Sequence, residues 1–158
     1  LAADLTSFVP GRAVDDNAHI WLRFKGGAKG QLWVSQVAVG NENALRLRIY
    51  GDKGGLEWEQ ENPNILWFTP LGGLRQRLTR GSGALSEAAT AATRIPAGHP
   101  EGYLEAFATL YSDVADVLVN GASAHHLPNI MDGLDGMWFI EACIASSKNN
   151  GTWCERNL

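Results

Sequence analysis

The side chains best equipped for chemistry stand together in one short run, Gly98-His99-Pro100-Glu101-Gly102-Tyr103. It places an imidazole, a carboxylate and a phenol just before and within the first turn of an expected helix. Binding groups collect on loops of this kind because a rigid scaffold can hold them at the surface. A neutral imidazole donates and accepts hydrogen bonds at once, which suits a hydroxyl-rich ligand. His99, Glu101 and Tyr103 are therefore the candidate substrate-binding residues. On residue types alone the plainer reading is favoured, a loop histidine and a glutamate that complements the positive end of a helix dipole.

Other chemistries find little support. The nearest approach to a dinucleotide-binding G-x-G-x-x-G begins at Gly81-Ser82-Gly83, but Ser86 stands where the third glycine belongs. No parallel strand–helix–strand unit surrounds it, so it reads as a flexible connection. There is no Walker-type loop and no nucleophile elbow. His125 and His126 are adjacent, so they point apart on a helix or strand, and no Cys/His spacing fits zinc. No metal site is expected. Asn150-Gly151-Thr152 has the form of a glycosylation sequon but reads better as a helix-stop turn.

The elements that must position the loop follow from periodicity. Strand-like alternation fills residues 1–80. Residues 18–25 place Ile20, Leu22 and Phe24 on one face, and His19, Trp21 and Arg23 on the other. Residues 30–39 form the next strand, after a Gly26-Gly27 turn. In 44–50, Leu45, Leu47 and Ile49 alternate with Arg46, Arg48 and Tyr50. The connection Gly51-Asp52-Lys53-Gly54-Gly55 is assigned to glycine's tolerance of positive φ. It lets Arg46 and Arg48 face Glu57 and Glu59 across an antiparallel pair. Residues 64–69 and 74–79 make two further short strands.

Residues 84–150 are helical in pattern. Ser86 caps a short helix through Ala92. Tyr103, Leu104, Phe107, Leu110, Tyr111, Val114, Val117 and Leu118 make one apolar stripe, ended by Asn120-Gly121. Asn129 and Asp132 form a capping box for a last helix, in which Leu134, Met137, Trp138, Glu141 and Ile144 fall near one stripe. The expected architecture is α+β. A mostly antiparallel open sheet has both helices on one face, and its other face is free for dimerisation. That second face is mixed, and Trp21, Trp33, Val37 and Tyr50 mark it as the expected homodimer interface.

Composition bounds the rest. A chain of 158 residues suits one domain, and 45% hydrophobic with 19% charged residues is ordinary for a globular protein. A net charge of −4 with scattered lysines and arginines argues against nucleic acid and against a basic membrane-surface patch. Two cysteines, Cys143 and Cys154, are too few for a disulfide framework and imply reduced thiols in a cytoplasmic protein. No basic segment followed by an apolar run opens the chain, and no stretch is long and apolar enough to span a bilayer. The opening Leu1-Ala2-Ala3-Asp4-Leu5-Thr6-Ser7-Phe8 already reads as a strand, so a fragment of a longer protein is expected.

Three motifs carry a resemblance. Pro96-Ala97-Gly98-His99-Pro100-Glu101-Gly102-Tyr103-Leu104-Glu105-Ala106-Phe107 resembles the stretch that opens the penultimate helix of many Gfo/Idh/MocA dehydrogenases, the glucose–fructose oxidoreductase and inositol dehydrogenase family. Asp132-Gly133-Leu134-Asp135-Gly136-Met137-Trp138-Phe139-Ile140-Glu141-Ala142, with Ser146-Ser147-Lys148, is similar to the family's closing helix. Tyr50-Gly51-Asp52-Lys53-Gly54-Gly55-Leu56 is similar to its sheet hairpin.

The resemblance implies a C-terminal substrate-binding and dimerisation domain, spanning 1–158, of an NAD- or NADP-dependent oxidoreductase. Its substrate would be a sugar, cyclitol or related polyol, and its subunits would form a homodimer or higher homo-oligomer through the sheet. The family's glycine-rich cofactor loop and Glu-Lys-Pro motif are absent, as are the aspartate and histidine that usually precede this sheet. The catalytic residues are therefore unassigned and expected upstream, in a Rossmann domain that this chain lacks. The chain alone is expected to be inactive and to bind no cofactor. A stand-alone carbohydrate-binding or dimerisation module is the alternative, and a start codon beside Leu1 would favour it.

Overall fold

A computed structural model describes every residue except Ala84, residues 123–126 and residues 157–158. The adjacent pair His125 and His126 thus lies outside the described residues. The elements are β1 (Ala2–Thr6), β2 (Asn17–Arg23), β3 (Lys29–Ser35), β4 (Arg46–Tyr50), β5 (Gly54–Glu59), β6 (Ile65–Pro70), β7 (Gln76–Thr79), α1 (Glu87–Ala91), α2 (Tyr103–Asn120) and α3 (Ile130–Lys148). The class is α+β, and every strand pair is antiparallel. The strands fall into two ladders, β1-β2-β3 and β4-β5-β6-β7, rather than the single sheet expected from sequence. Two compact units result, one of residues 1–40 with 128–158 and one of residues 41–127. The closing helix returns to the first strands, so the boundary between units does not follow the strand-rich and helical halves of the sequence.

In the first unit, pairing sets Ala3 opposite Ile20 and Leu5 opposite Ala18. The alternation of β2 therefore buries one face. Ala3, Ala18, Ile20 and Cys143 form its core, with Leu1, Leu5, Leu22 and Phe139 packed against it. Burying a side chain of the size of Ile20 contributes about 1.5–3 kcal/mol. The helix that covers this face is α3, packed on β1. Its buried positions are Ala142, Cys143 and Ser146, whereas Leu134, Met137 and Ile144 of the expected stripe are exposed. Small side chains win the face because the helix approaches β1 closely enough for Ser146 to bond its backbone. Asn129 and Asp132 form the expected capping box at its start. The strand expected over 30–39 ends at Ser35. There Ser35 Oγ accepts from the Val37 N–H at 3.2 Å and turns the chain away from the ladder.

The second unit is a four-stranded meander followed by α1 and α2. Leu47, Trp58, Leu66 and Leu78 stand in one cross-strand row, as alternation requires. Arg46 and Arg48 stand opposite Glu59 and Glu57 as expected. Arg46 pairs with Glu59 at 3.6 Å, while the Glu57 carboxylate lies 3.2 Å from Arg75, which also stacks 4.3 Å over Trp67. The glycines of the β4–β5 hairpin correct the sequence reading. None of Gly51, Gly54 and Gly55 has a positive φ. Gly54 and Gly55 are needed for space instead. A Cβ at Gly54 would stand 2.5 Å from the Thr69 carbonyl oxygen, and one at Gly55 would stand 2.8 Å from the Tyr50 ring.

Helix α1 starts at the Ser86 cap, whose hydroxyl accepts from the Ala89 N–H at 3.2 Å. Helix α2 ends at Gly121 in the left-handed region, its N–H bonded to the Asp116 carbonyl. Although α2 carries the expected apolar stripe, it buries no residue.

Candidate functional site

The segment 94–102 lies wholly within the second unit, between α1 and α2. Its shape starts with Pro96 and Gly98. Gly98 has φ +84°, a left-handed turn that a side chain would strain, and His99 N–H donates to the Pro96 carbonyl at 3.2 Å. The His99 carbonyl in turn accepts from Arg80 Nη2 at 2.7 Å. Both main-chain polar groups of His99 are thus bonded, while the residue as a whole is exposed.

Glu101 has a different position from its two neighbours. It is buried, and its carboxylate accepts from the N–H groups of Arg94 and Ile95, both at 3.0 Å in their shorter contacts. The same carboxylate lies 2.7 Å from Arg80 Nη1. Burial is the largest single influence on this carboxyl and raises its pKa. The Ile95 and Arg94 amides and the charges of Arg80 and Arg94 together outweigh it and hold the pKa below the ordinary carboxylate value. The main chain of Glu101 is pinned as well. Asn64 Nδ2 donates to its carbonyl at 2.9 Å, and Asn64 Oδ1 accepts from its N–H at 3.1 Å. The Asn64 amide pairs with this residue as a peptide group of a neighbouring strand would.

Tyr103 begins α2. It is 69% exposed and meets Phe107 edge-on, with ring centroids 5.0 Å apart. The helix start is capped by its own third residue, since Glu105 Oε2 accepts from the Gly102 N–H at 2.8 Å. A shallow open cleft of about 430 Å³ runs beside the loop, walled by residues 61–65 and by Pro100, Glu101, Gly102 and Glu105. The structure therefore presents His99 and Tyr103 at the surface and commits Glu101 to holding the loop. Arg80 and Asn64 are the partners that sequence reading missed. No periodicity or motif marks either of them, because their contacts reach 15 to 37 residues along the chain.

Of the four residues expected at a dimer interface, Trp21 and Trp33 share one face of the β1-β2-β3 ladder and are 56% and 57% exposed. Trp33 stacks on His19 at 6.0 Å, and its Nε1 donates to Asn17 Oδ1 at 2.9 Å. Val37 lies beyond the end of β3 and is half-buried. Tyr50 is 70% exposed but belongs to the other unit, at the end of β4. Cys143 is buried and burial holds its thiol above the ordinary range, while Cys154 is partly exposed, and both are free. Among the described residues no cluster of three metal-ligating side chains forms, and no helix is long and apolar enough to cross a membrane.

A family model described as the GFO/IDH/MocA C-terminal domain matches residues 1–57. An uncharacterized oxidoreductase of Bacillus subtilis, YfiI, is 33% identical over 98% of the chain, which spans 42% of that protein. Among solved structures, an oxidoreductase from Sinorhizobium meliloti is 52% identical with a TM-score of 0.89, over 98% of this chain and 45% of its own. An inositol dehydrogenase homolog from Azotobacter vinelandii, solved with NADH and myo-inositol, is 36% identical with a TM-score of 0.89, over 98% of this chain and 43% of its own. The chain thus spans less than half the length of each of these proteins.

Proposed function

We propose that this chain, which matches the GFO/IDH/MocA C-terminal domain over residues 1–57 and is similar to an oxidoreductase of Bacillus subtilis along 98% of its length, is a C-terminal domain of that family and serves the substrate side of an NAD(P)-dependent dehydrogenase acting on a cyclitol, sugar or related polyol. The Azotobacter relative's complex with NADH and myo-inositol supports the substrate class and the cofactor.

The observation that carries the site assignment is the fixed main chain of His99 beneath an exposed residue. Its imidazole donates to one substrate hydroxyl oxygen or accepts from one hydroxyl hydrogen, according to its tautomer. Tyr103 offers a phenol at the first residue of α2, a second partner for a vicinal hydroxyl. Glu101 acts through the loop and not on the substrate.

The helix starts on this chain do not fit a dinucleotide. At α2 the Gly102 N–H is taken by Glu105, and at α3 the Asn129 N–H is taken by Asp132. Each of these places a carboxylate where a pyrophosphate would need bare N–H groups. No step at the cofactor is assigned to residues of this chain, and the proton-transfer groups belong to the rest of the enzyme.

The test is steady-state kinetics on the full-length enzyme with NAD and myo-inositol. His99→Ala should raise KM about fivefold, as expected for losing one hydrogen bond to a neutral group, with a smaller fall in kcat. A lowered melting temperature with KM unchanged would make His99 a packing residue and defeat the assignment. We also propose that the chain assembles as a homodimer through the face that carries Trp21 and Trp33.

A further inference from the structure

We propose that Arg80 is a positioning residue for substrate recognition, holding the main chain of His99 in register for binding. The inference rests on the reading of His99 given above and extends it to a residue that does not touch substrate.

Arg80 follows β7, and its side chain is only 16% exposed. Five acceptors stand around its guanidinium. Nε donates to Asn64 Oδ1 at 2.8 Å. Nη1 donates to the Ile95 carbonyl at 2.6 Å and lies 2.7 Å from Glu101 Oε2. Nη2 donates to the Pro96 carbonyl at 3.2 Å and to the His99 carbonyl at 2.7 Å. A guanidinium has five N–H groups in a fixed planar fork, so no donor remains for a ligand. Its chemistry is used up inside the fold, which separates a positioning role from a binding one.

The arrangement also explains why Glu101 is buried at a helix start. The carboxylate collects the N–H groups at the beginning of the segment, from Arg94 and Ile95. The guanidinium collects the carbonyls along it, from Ile95, Pro96 and His99. One ion pair therefore satisfies both kinds of main-chain group in a segment that has no ladder of its own. Gly98 then turns the chain, and the exposed His99 carries the pair's last main-chain contact. A lysine in place of Arg80 keeps the charge opposite Glu101 but is a point donor that cannot reach all three carbonyls. It leaves Glu101 partnered, so the fold survives while the loop loosens.

The experiment uses the full-length enzyme and compares Arg80→Lys and His99→Ala, with Asn64→Ala as a further variant that removes one acceptor from the fork together with both main-chain partners of Glu101. Hydrogen exchange is read over residues 94–102. KM and kcat are read with NAD and the best-turned-over member of a panel of myo-inositol, glucose and xylose. Arg80→Lys should speed exchange within 94–102, raise KM roughly fivefold and leave kcat within a factor of about two. Asn64→Ala should move both readouts in the same direction. If His99→Ala raises KM but Arg80→Lys does not, the positioning role is overturned while the reading of His99 stands. Unchanged exchange over 94–102 in both Arg80→Lys and Asn64→Ala overturns it as well. If His99→Ala leaves KM unchanged, the reading of His99 fails and this inference fails with it.

Discussion

The hydroxyl of Ser146 accepts a hydrogen bond from the Ala3 N–H at 2.8 Å and donates one to the Thr152 carbonyl at 2.7 Å. One side chain thereby joins the closing helix to the first strand, across 143 residues of sequence, and to the tail behind it. Ser146 is fully buried and so is its bond to Ala3, so the Ala3 amide cannot turn to water instead.

Removing that hydroxyl leaves the Ala3 amide without its partner in the core of the first unit. A buried group left unsatisfied costs about 1–3 kcal/mol. Ser146→Ala should lower stability by that amount in urea denaturation, with little change in the slope. Ser147→Ala should cost less. Ser147 Oγ accepts from Leu5 N–H at 2.9 Å, but that bond is only partly buried. Equal effects of the two substitutions would contradict the weight placed on burial.

Two carboxylates should set the acid limit of the fold. The Phe8 amide is the main cause holding the Asp16 carboxyl below its ordinary value. The Val9 amide and the Arg12 charge act the same way, against burial. Glu101 is lowered likewise, by its amides and arginines against burial. A carboxyl whose pKa is lower folded than unfolded adds stability above its unfolded value, near 4, and that stability is lost as pH falls through the folded value. Unfolding free energy should therefore be level from about pH 7 to pH 5 and decline below that. The double variant Asp16→Asn, Glu101→Gln should be less stable at pH 7 and show a shallower acid decline. An unchanged acid slope would show that neither carboxylate governs it.

The face carrying Trp21 and Trp33 yields a prediction about assembly. Two indoles more than half exposed on one sheet face form an apolar patch of the kind that a self-complementary dimer buries on both subunits. Sedimentation velocity of the full-length protein should give a dimer or higher assembly, and Trp33→Glu should shift it toward monomer by burying an unpaired charge. A monomer at high concentration, or an assembly indifferent to Trp33→Glu, would remove this face from consideration.

Much of the local structure was decided by short-range rules. Asn129 and Asp132 cap α3, Ser86 caps α1, Gly121 stops α2, and the Arg46–Glu59 register follows from strand alternation, because each depends on residues only a few positions apart in chain or ladder. The run that holds His99 and Tyr103 was legible for the same reason, since residue types at a Pro- and Gly-marked helix start are visible without a fold. Only the tertiary structure decided the rest. Glu101 has the pattern of a dipole-complementing helix opener. Its carboxylate instead holds a loop, because folding brings Arg80 and Asn64 to it from 21 and 37 residues away. The buried face of α3 runs through Ala142, Cys143 and Ser146 and not through its larger apolar residues, because close approach to β1 rewards small side chains and one hydroxyl over volume. Gly54 and Gly55 were legible as glycines of a hairpin, but their reason lies in a neighbouring carbonyl and a tyrosine ring. Periodicity records which residues repeat along the chain, and it carries no record of which backbone will be packed against them.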